Sequence, residues 1–294
     1  MSSGRDSTPP SRAERDSEPG SGRAPRGVRR SISFLAAAGW VVGTGLVIAL
    51  LLQMAESMRP GADGDIVTFT GCCVVTYMLV VFGMLRVYEP ETSIREALGL
   101  RATSPLAPIL AAIAGAGVYP TLSALDDLVS RSFPARTDEE TELVTKLFTT
   151  HGFGSRAFLF VACALLMPLA EQSLFCGTLY GGLKRGRARM EAILATVGCY
   201  AFLHDVRALG SMVTIGLLIA WLRAESGSIL PSCAAHIAWS VVPTARFLQT
   251  SSFDEHFPRS WTIGGAAAAI ASFAGLFALL RRDARAAAGR DADA

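Results

Sequence analysis

Long runs of uncharged, mostly apolar residues divide this chain at roughly 34–54, 66–85, 106–125, 156–183, 190–206, 208–222, 229–249 and 261–280, and the charges collect in short clusters between them. A helix needs about 20 apolar residues to cross the hydrocarbon core of a bilayer, so each run predicts a helix. The expected fold class is therefore all-α: a polytopic membrane helix bundle of about eight transmembrane helices. The fifth and sixth runs are short for independent spans and read as helices packed inside the bundle.

Composition and charge sharpen this picture. Hydrophobic residues fill 51% of 294 positions and charged residues only 18%, which excludes an ordinary soluble domain. Arg26, Arg29 and Arg30 precede the first run; Lys184, Arg185, Arg187 and Arg189 separate the fourth from the fifth; Arg281, Arg282 and Arg285 follow the last. The positive-inside rule places all three clusters in the cytoplasm. The connections 55–65 and 126–154 are acidic instead, with Glu56, Asp63 and Asp65 in one and Asp126, Asp127, Asp138, Glu139, Glu140 and Glu142 in the other. An even number of spans in the cell membrane, with both termini cytoplasmic, fits every loop.

Residues 1–32 are Ser, Pro, Gly, Arg and acid with almost no apolar side chains, so they are expected to form a disordered cytoplasmic tail. The first apolar run lies too far from the start for a cleaved signal peptide. Residues 33–282 then form the membrane domain and 283–294 a second short cytoplasmic tail. The cysteines Cys72, Cys73, Cys163, Cys176, Cys199 and Cys233 all fall inside the expected spans, where free thiols behave as small hydrophobes, and no Cys-x-x-Cys pair offers a thiolate metal site. Lysine occurs only at 146 and 184 against many arginines, which points to a GC-rich bacterial genome.

Three ionisable residues break the apolar runs: Glu171 in the fourth, His204 in the fifth and His236 in the seventh. A charge there costs several kcal/mol, so such residues face a protein interior and mark a functional site by default. At 1.5 Å per residue Glu171 lies ~20 Å from Lys184, His204 ~22 Å from Arg189, and His236 ~13–20 Å from the cytoplasmic end of its helix, so one layer near mid-membrane can hold all three. A buried histidine can also serve only to bond a neighbouring carbonyl or serine. Glu171 is harder to explain that way, because the nearest arginines are far down its helix. Asp205, next to His204, points ~100° away on a helix and makes a poor partner for that ring; Arg246 is expected to snorkel to the outer interface.

The surrounding residues carry a resemblance. Pro168-Leu-Ala-Glu171-Gln172-Ser173-Leu174-Phe175-Cys176-Gly177, Tyr200-Ala-Phe-Leu-His204, and Gly227-Ser-Ile-Leu-Pro231 followed by His236-Ile-Ala-Trp-Ser240 resemble, in order, the EExxxRG, FxxxH and HxxxN motifs of the CPBP (Abi, CAAX-protease-like) intramembrane endopeptidases. Arg95-Glu-Ala-Leu-Gly-Leu-Arg101 is similar to a segment that often precedes the family's third helix. The motif region covers about 156–245, within a resemblance running from about 95 to 245. Gln172 stands for the second Glu, Cys176 for the Arg and Ser240 for the Asn. Positions 172 and 176 share a helix face, and losing both charges together is tolerated far better than losing one, which costs ~3–5 kcal/mol in a low-dielectric site. The pair therefore reads as a neutralised support contact.

The resemblance implies hydrolysis of a peptide bond of a membrane-associated substrate, with Glu171 activating water and His204 and His236 orienting it, stabilising the oxyanion or holding a metal. Gln172, Tyr200 and Ser240 are the expected supporting residues, although a Ser hydroxyl replaces less than an Asn amide offers. The residues fix no cofactor outright. A zinc ion held by Glu171, His204 and His236 is the alternative to a metal-free glutamate protease, which is slightly favoured. The expected partners are the bilayer and a membrane-associated protein or peptide, and no nucleic acid. Two other classes compete: a catalytically inactive member acting as a membrane scaffold or binding protein, favoured by the motif departures, and a small transporter with a proton-relay carboxylate, disfavoured because the two halves show no repeat.

Overall fold

The computed structural model describes residues 29–62, 64–133, 137–149, 152–251 and 257–292. Every apolar run is helical: α1 Phe34–Met58, α2 Ile66–Tyr88, α3 Leu106–Ser130, α5 Gly152–Lys184, α6 Arg189–Phe202, α7 Leu209–Ser226, α8 Leu230–Thr250 and α9 Arg259–Ala292. Among the described residues six helical stretches are long and apolar enough to cross a membrane; α6 and α8 are not among them. With 14 residues α6 reaches only about 21 Å, and it packs along α7 as an inner hairpin, in keeping with its short run. The outward faces of the spans are apolar, with Leu35, Leu46, Leu79, Ile263 and Ile270 all exposed, as lipid contact requires. This is a multi-pass membrane helix bundle.

Three features lie outside the apolar pattern. The acidic connection after α3 contains a further helix, α4 (Asp138–Phe148), tied to the α6–α7 turn by Arg207 Nη2–Glu140 Oε2 at 3.4 Å and to α8 by a Phe148–Phe247 ring contact at 5.3 Å. Residues 1–28 of the expected N-terminal tail lie outside the described residues, but 29–32 do not behave as a solvated tail. The Arg30 N–H donates to Tyr88 O and the Ile32 N–H to Gly182 O, Ile32 is 2% exposed, and Arg185 bonds the buried Glu89 at 2.8 Å while bonding Arg30 O with Nε. An apolar side chain and a buried carboxylate that needs cations together dock this segment onto α2 and α5. At the other end, α9 runs on through 283–292.

α3 is the hub, with α8 and α9 as its closest neighbours. Small residues, Ala107, Ala111, Ala114, Gly115 and Gly117, line its buried face, which lets backbones approach closely where apolar burial gives no driving force between helices. A Cβ on Gly117 would stand 2.6 Å from Gly265 O of α9, and one on Gly115 would overlap the carbonyl of Ala235 in α8.

Helix α5 is distorted where it matters. It contains two π-helical segments, Ala162–Leu166 and Ser173–Leu179, flanking the hexapeptide Met167–Gln172. Pro168 has no N–H for the carbonyl four residues back, which accounts for the first. In the second, the hydroxyls of Ser173 and Thr178 bond Leu169 O and Leu174 O, each 2.8 Å away and one turn back, a competition that bends helices. Single π turns concentrate at functional sites, and this pair brackets Glu171 and Gln172.

Candidate active site

Helices α5 and α8 and the turn that follows α6 bring Glu171, His236 and His204 together, so His204 lies just past the helix in which the sequence placed it. Glu171 Oε2 lies 3.6 Å from His236 Nε2 and 3.8 Å from His204 Nε2. Glu171 is 7% exposed and His236 2%, and among the described residues no lysine or arginine pairs with Glu171. The carboxylate thus faces two imidazoles at separations slightly longer than a direct hydrogen bond, a spacing that one water can bridge.

The rings are held through their other nitrogens. α6 stops at Phe202, so the carbonyl of Tyr200 is one of the orphans at a helix C-terminus, and His204 Nδ1 approaches it at 2.7 Å. A carbonyl only accepts, so His204 carries its proton on Nδ1 and turns a bare Nε2 toward Glu171. His236 is set the opposite way. Gln172 Nε2 stands 2.9 Å from His236 Nδ1; with the amide in this orientation Nδ1 accepts, the His236 proton is on Nε2, 3.2 Å from the Tyr200 hydroxyl, and Gln172 Oε1 is buried without a partner among the described residues. The two histidines offer the same space one acceptor and one donor.

Tyr200 is wedged between them. Its ring lies 4.4 Å from that of His204 and 5.8 Å, edge-on, from that of His236, with Phe175 closing the third side at 5.2 Å. Ser240 is buried, but among the described residues its side chain makes no hydrogen bond to His236; its carbonyl accepts from Thr244 Oγ1. Asp205 turns away and caps the short turn Val206–Ala208 by accepting from the Arg207 N–H. The guanidinium of Arg246 lies over Phe257, 4.2 Å from the ring centroid. Arg223 of α7, not singled out by any motif, donates its Nε–H to Cys176 O at 2.9 Å, bringing a guanidinium to the backbone of the residue that stands in place of the motif arginine. The signal for it in the sequence is a lone arginine closing an otherwise uncharged run.

Zinc would take Nε2 lone pairs from both histidines, which requires His236 to carry its proton on Nδ1 and Gln172 to turn its amide oxygen toward that nitrogen. Among the described residues, no three or more His, Cys, Asp or Glu side chains are disposed to hold a cation.

Residues 153–242 match the family model Rce1-like, type II CAAX prenyl endopeptidase Rce1-like. The resemblance carried by the motifs and the family match coincide, and the matched segment holds all six residues Glu171, Gln172, Tyr200, His204, His236 and Ser240. No curated protein and no solved structure matches the chain.

Gln172 and Cys176 do not form a pair with each other. Gln172 bonds His236 of α8, the Cys176 thiol bonds Ser232 one turn earlier on that same helix, and the Cys176 carbonyl takes Arg223. Gln172→Glu is therefore expected to lower stability by about 3–5 kcal/mol, because a fully buried carboxylate would replace a neutral donor to His236. Adding Cys176→Arg places a second guanidinium beside Arg223 and is expected to recover none of the loss. Thermal unfolding of the single and double variants in detergent checks this; full recovery in the double variant would restore the idea of a 172–176 pair.

Proposed function

We propose that this protein is an intramembrane endopeptidase that hydrolyses a peptide bond of a membrane-associated protein or peptide, with Glu171 as general base on water and no metal. The observation that carries this reading is the meeting of one buried carboxylate with the Nε2 atoms of two imidazoles. A water between them is held by the bare Nε2 of His204 and gives a proton to Glu171. Its oxygen bonds to the carbonyl carbon, the carbonyl electron pair moves onto oxygen, and the His236 Nε2–H stabilises the resulting oxyanion. As the tetrahedral centre collapses the C–N bond breaks, and protonated Glu171 returns its proton to the leaving amine. Water is consumed, a carboxylic acid and an amine are released, and the site is restored.

The similarity to CAAX prenyl endopeptidases supports a substrate that reaches the site through the membrane. The test is a comparison of membrane-protein termini in cells carrying the wild type, the Glu171→Gln form, or no protein: neo-termini must appear with the wild type alone. Equal termini in all three would leave the scaffold reading standing.

The orientation we propose has the N terminus, the Lys184–Arg189 turn and the C-terminal arginines in the cytoplasm of a cell membrane. A reporter fused after Arg189 or Ala294 is expected to report cytoplasm, and one inserted in 126–154 the opposite face. A cytoplasmic signal from 126–154 would break this topology.

A further inference from the structure

We propose that the Tyr200 hydroxyl is a second hydrogen-bond donor to the oxyanion, acting beside His236; this rests on the endopeptidase reading above. The motif that Tyr200 resembles is written with phenylalanine at this position, so the motif itself does not call for the hydroxyl. It is also costly, since a hydroxyl in an apolar bundle needs partners. Tyr200 is 1% exposed, and the bond its hydroxyl makes among the described residues is to His236 Nε2 at 3.2 Å.

The direction of that bond follows from the far side of the ring. With Gln172 donating to His236 Nδ1, His236 Nε2 bears the ring's one hydrogen, which Tyr200 O accepts in the free site and which turns to the oxyanion when that forms. A tyrosine hydroxyl that accepts still has its own hydrogen to give. His236 Nε2 in turn lies 3.6 Å from Glu171 Oε2, so the hydroxyl stands at the edge of the space in which Glu171 activates water. The ring is packed against His204 at 4.4 Å and Phe175 at 5.2 Å. Ser240, at the position where the motif has an amide, gives His236 no bond. The hydroxyl thereby supplies a donor that Ser240 does not.

The bland alternative is that Tyr200 merely donates to His236 and steadies it. That requires the opposite His236 tautomer, so the two differ in a property that can be measured without substrate. Full-length protein labelled with 15N-histidine, purified in detergent, is expected to show His236 protonated on Nε2, with that nitrogen shifting in Tyr200→Phe. Hydrolysis of a quenched-fluorescence peptide with a farnesylated CAAX terminus is expected to fall about 10²–10³-fold in kcat in Tyr200→Phe, with KM and melting temperature unchanged. His236 protonated on Nδ1, or a Tyr200→Phe enzyme as fast as the wild type beside an inert Glu171→Gln, overturns this proposal alone. Wild-type protein inert toward the peptide, or Glu171→Gln protein as fast as the wild type, overturns the endopeptidase reading and this one with it.

Discussion

Glu171→Gln is expected to reduce hydrolysis about 10²–10⁴-fold while leaving the amount and melting temperature of the protein intact. The substitution keeps the volume of the side chain and its capacity to bond, and removes only the base. Because no arginine or lysine among the described residues pairs with Glu171, deleting its charge strands no buried cation, which separates this variant from most buried-carboxylate changes. His204→Ala and His236→Ala should each cost nearly as much as Glu171→Gln, and the triple variant little more than any single one. Residues that act on one water as a unit are strongly non-additive, since removing one leaves the others with nothing to act on. Three losses that multiply would mean three independent contributions and would break the single-site reading. Ser240→Ala should stay near wild-type rate, because Ser240 makes no bond to His236. His236→Gln offers a finer test: it keeps a donor near Tyr200 while deleting the ring, and is expected to retain more activity than His236→Ala.

Six of the eight expected spans were legible because hydrocarbon imposes one rule on them, a long apolar run closed by charge, that can be read without knowing any neighbour; α6 and α8 fall short of it. Helix α4 escaped it because its residues are acidic and polar, and its contacts to Arg207 and Phe247 are tertiary. Docking of residues 29–32 was hidden for the same reason: a polar, Pro- and Gly-rich stretch gives no sign that Ile32 fits over Gly182 or that Glu89 waits buried for Arg185. At the site, a carboxylate and two imidazoles in apolar runs are conspicuous one by one. Motif spacing, however, fixes only which residues share a helix face. It does not say toward which ring nitrogen a neighbouring helix turns its amide. Gln172 looked like the remnant of a lost ion pair with Cys176, yet it sets the tautomer of His236; Tyr200 looked like an aromatic spacer, yet its hydroxyl meets that same ring. Pro168, Ser173 and Thr178 hinted at the distortion of α5 but not at where it would aim the side chains.

Gly115→Ala should damage catalysis from the far side of the bundle. Gly115 lies on α3, remote in sequence from every motif, but its missing Cβ is where the carbonyl of Ala235 passes, and Ala235 immediately precedes His236. A methyl group at 115 would sit well inside the 3.0 Å that Cβ contacts respect, and what it strikes is backbone, so no side chain can rotate to make room. Helix α8 must move by on the order of 1 Å. Overpacking of this kind lowers stability by about 1–3 kcal/mol. The larger effect falls on His236, whose Nδ1 bond to Gln172 and Nε2 approach to Glu171 and Tyr200 all cross the α5–α8 and α6–α8 boundaries that the shift would open. A displacement of that size can cost about 10²-fold in rate, and the loss should lie in kcat. Gly43→Ala and Gly71→Ala are the matched controls: each adds the same methyl group to a membrane helix, and nothing lies within 4 Å of it. Hydrolysis and thermal unfolding measured on all three decide the matter. If Gly115→Ala matches the controls in rate, α8 does not need α3 to hold His236 in place; if it loses rate while the 15N signal of His236 stays where the wild type has it, the damage lies somewhere other than at that ring.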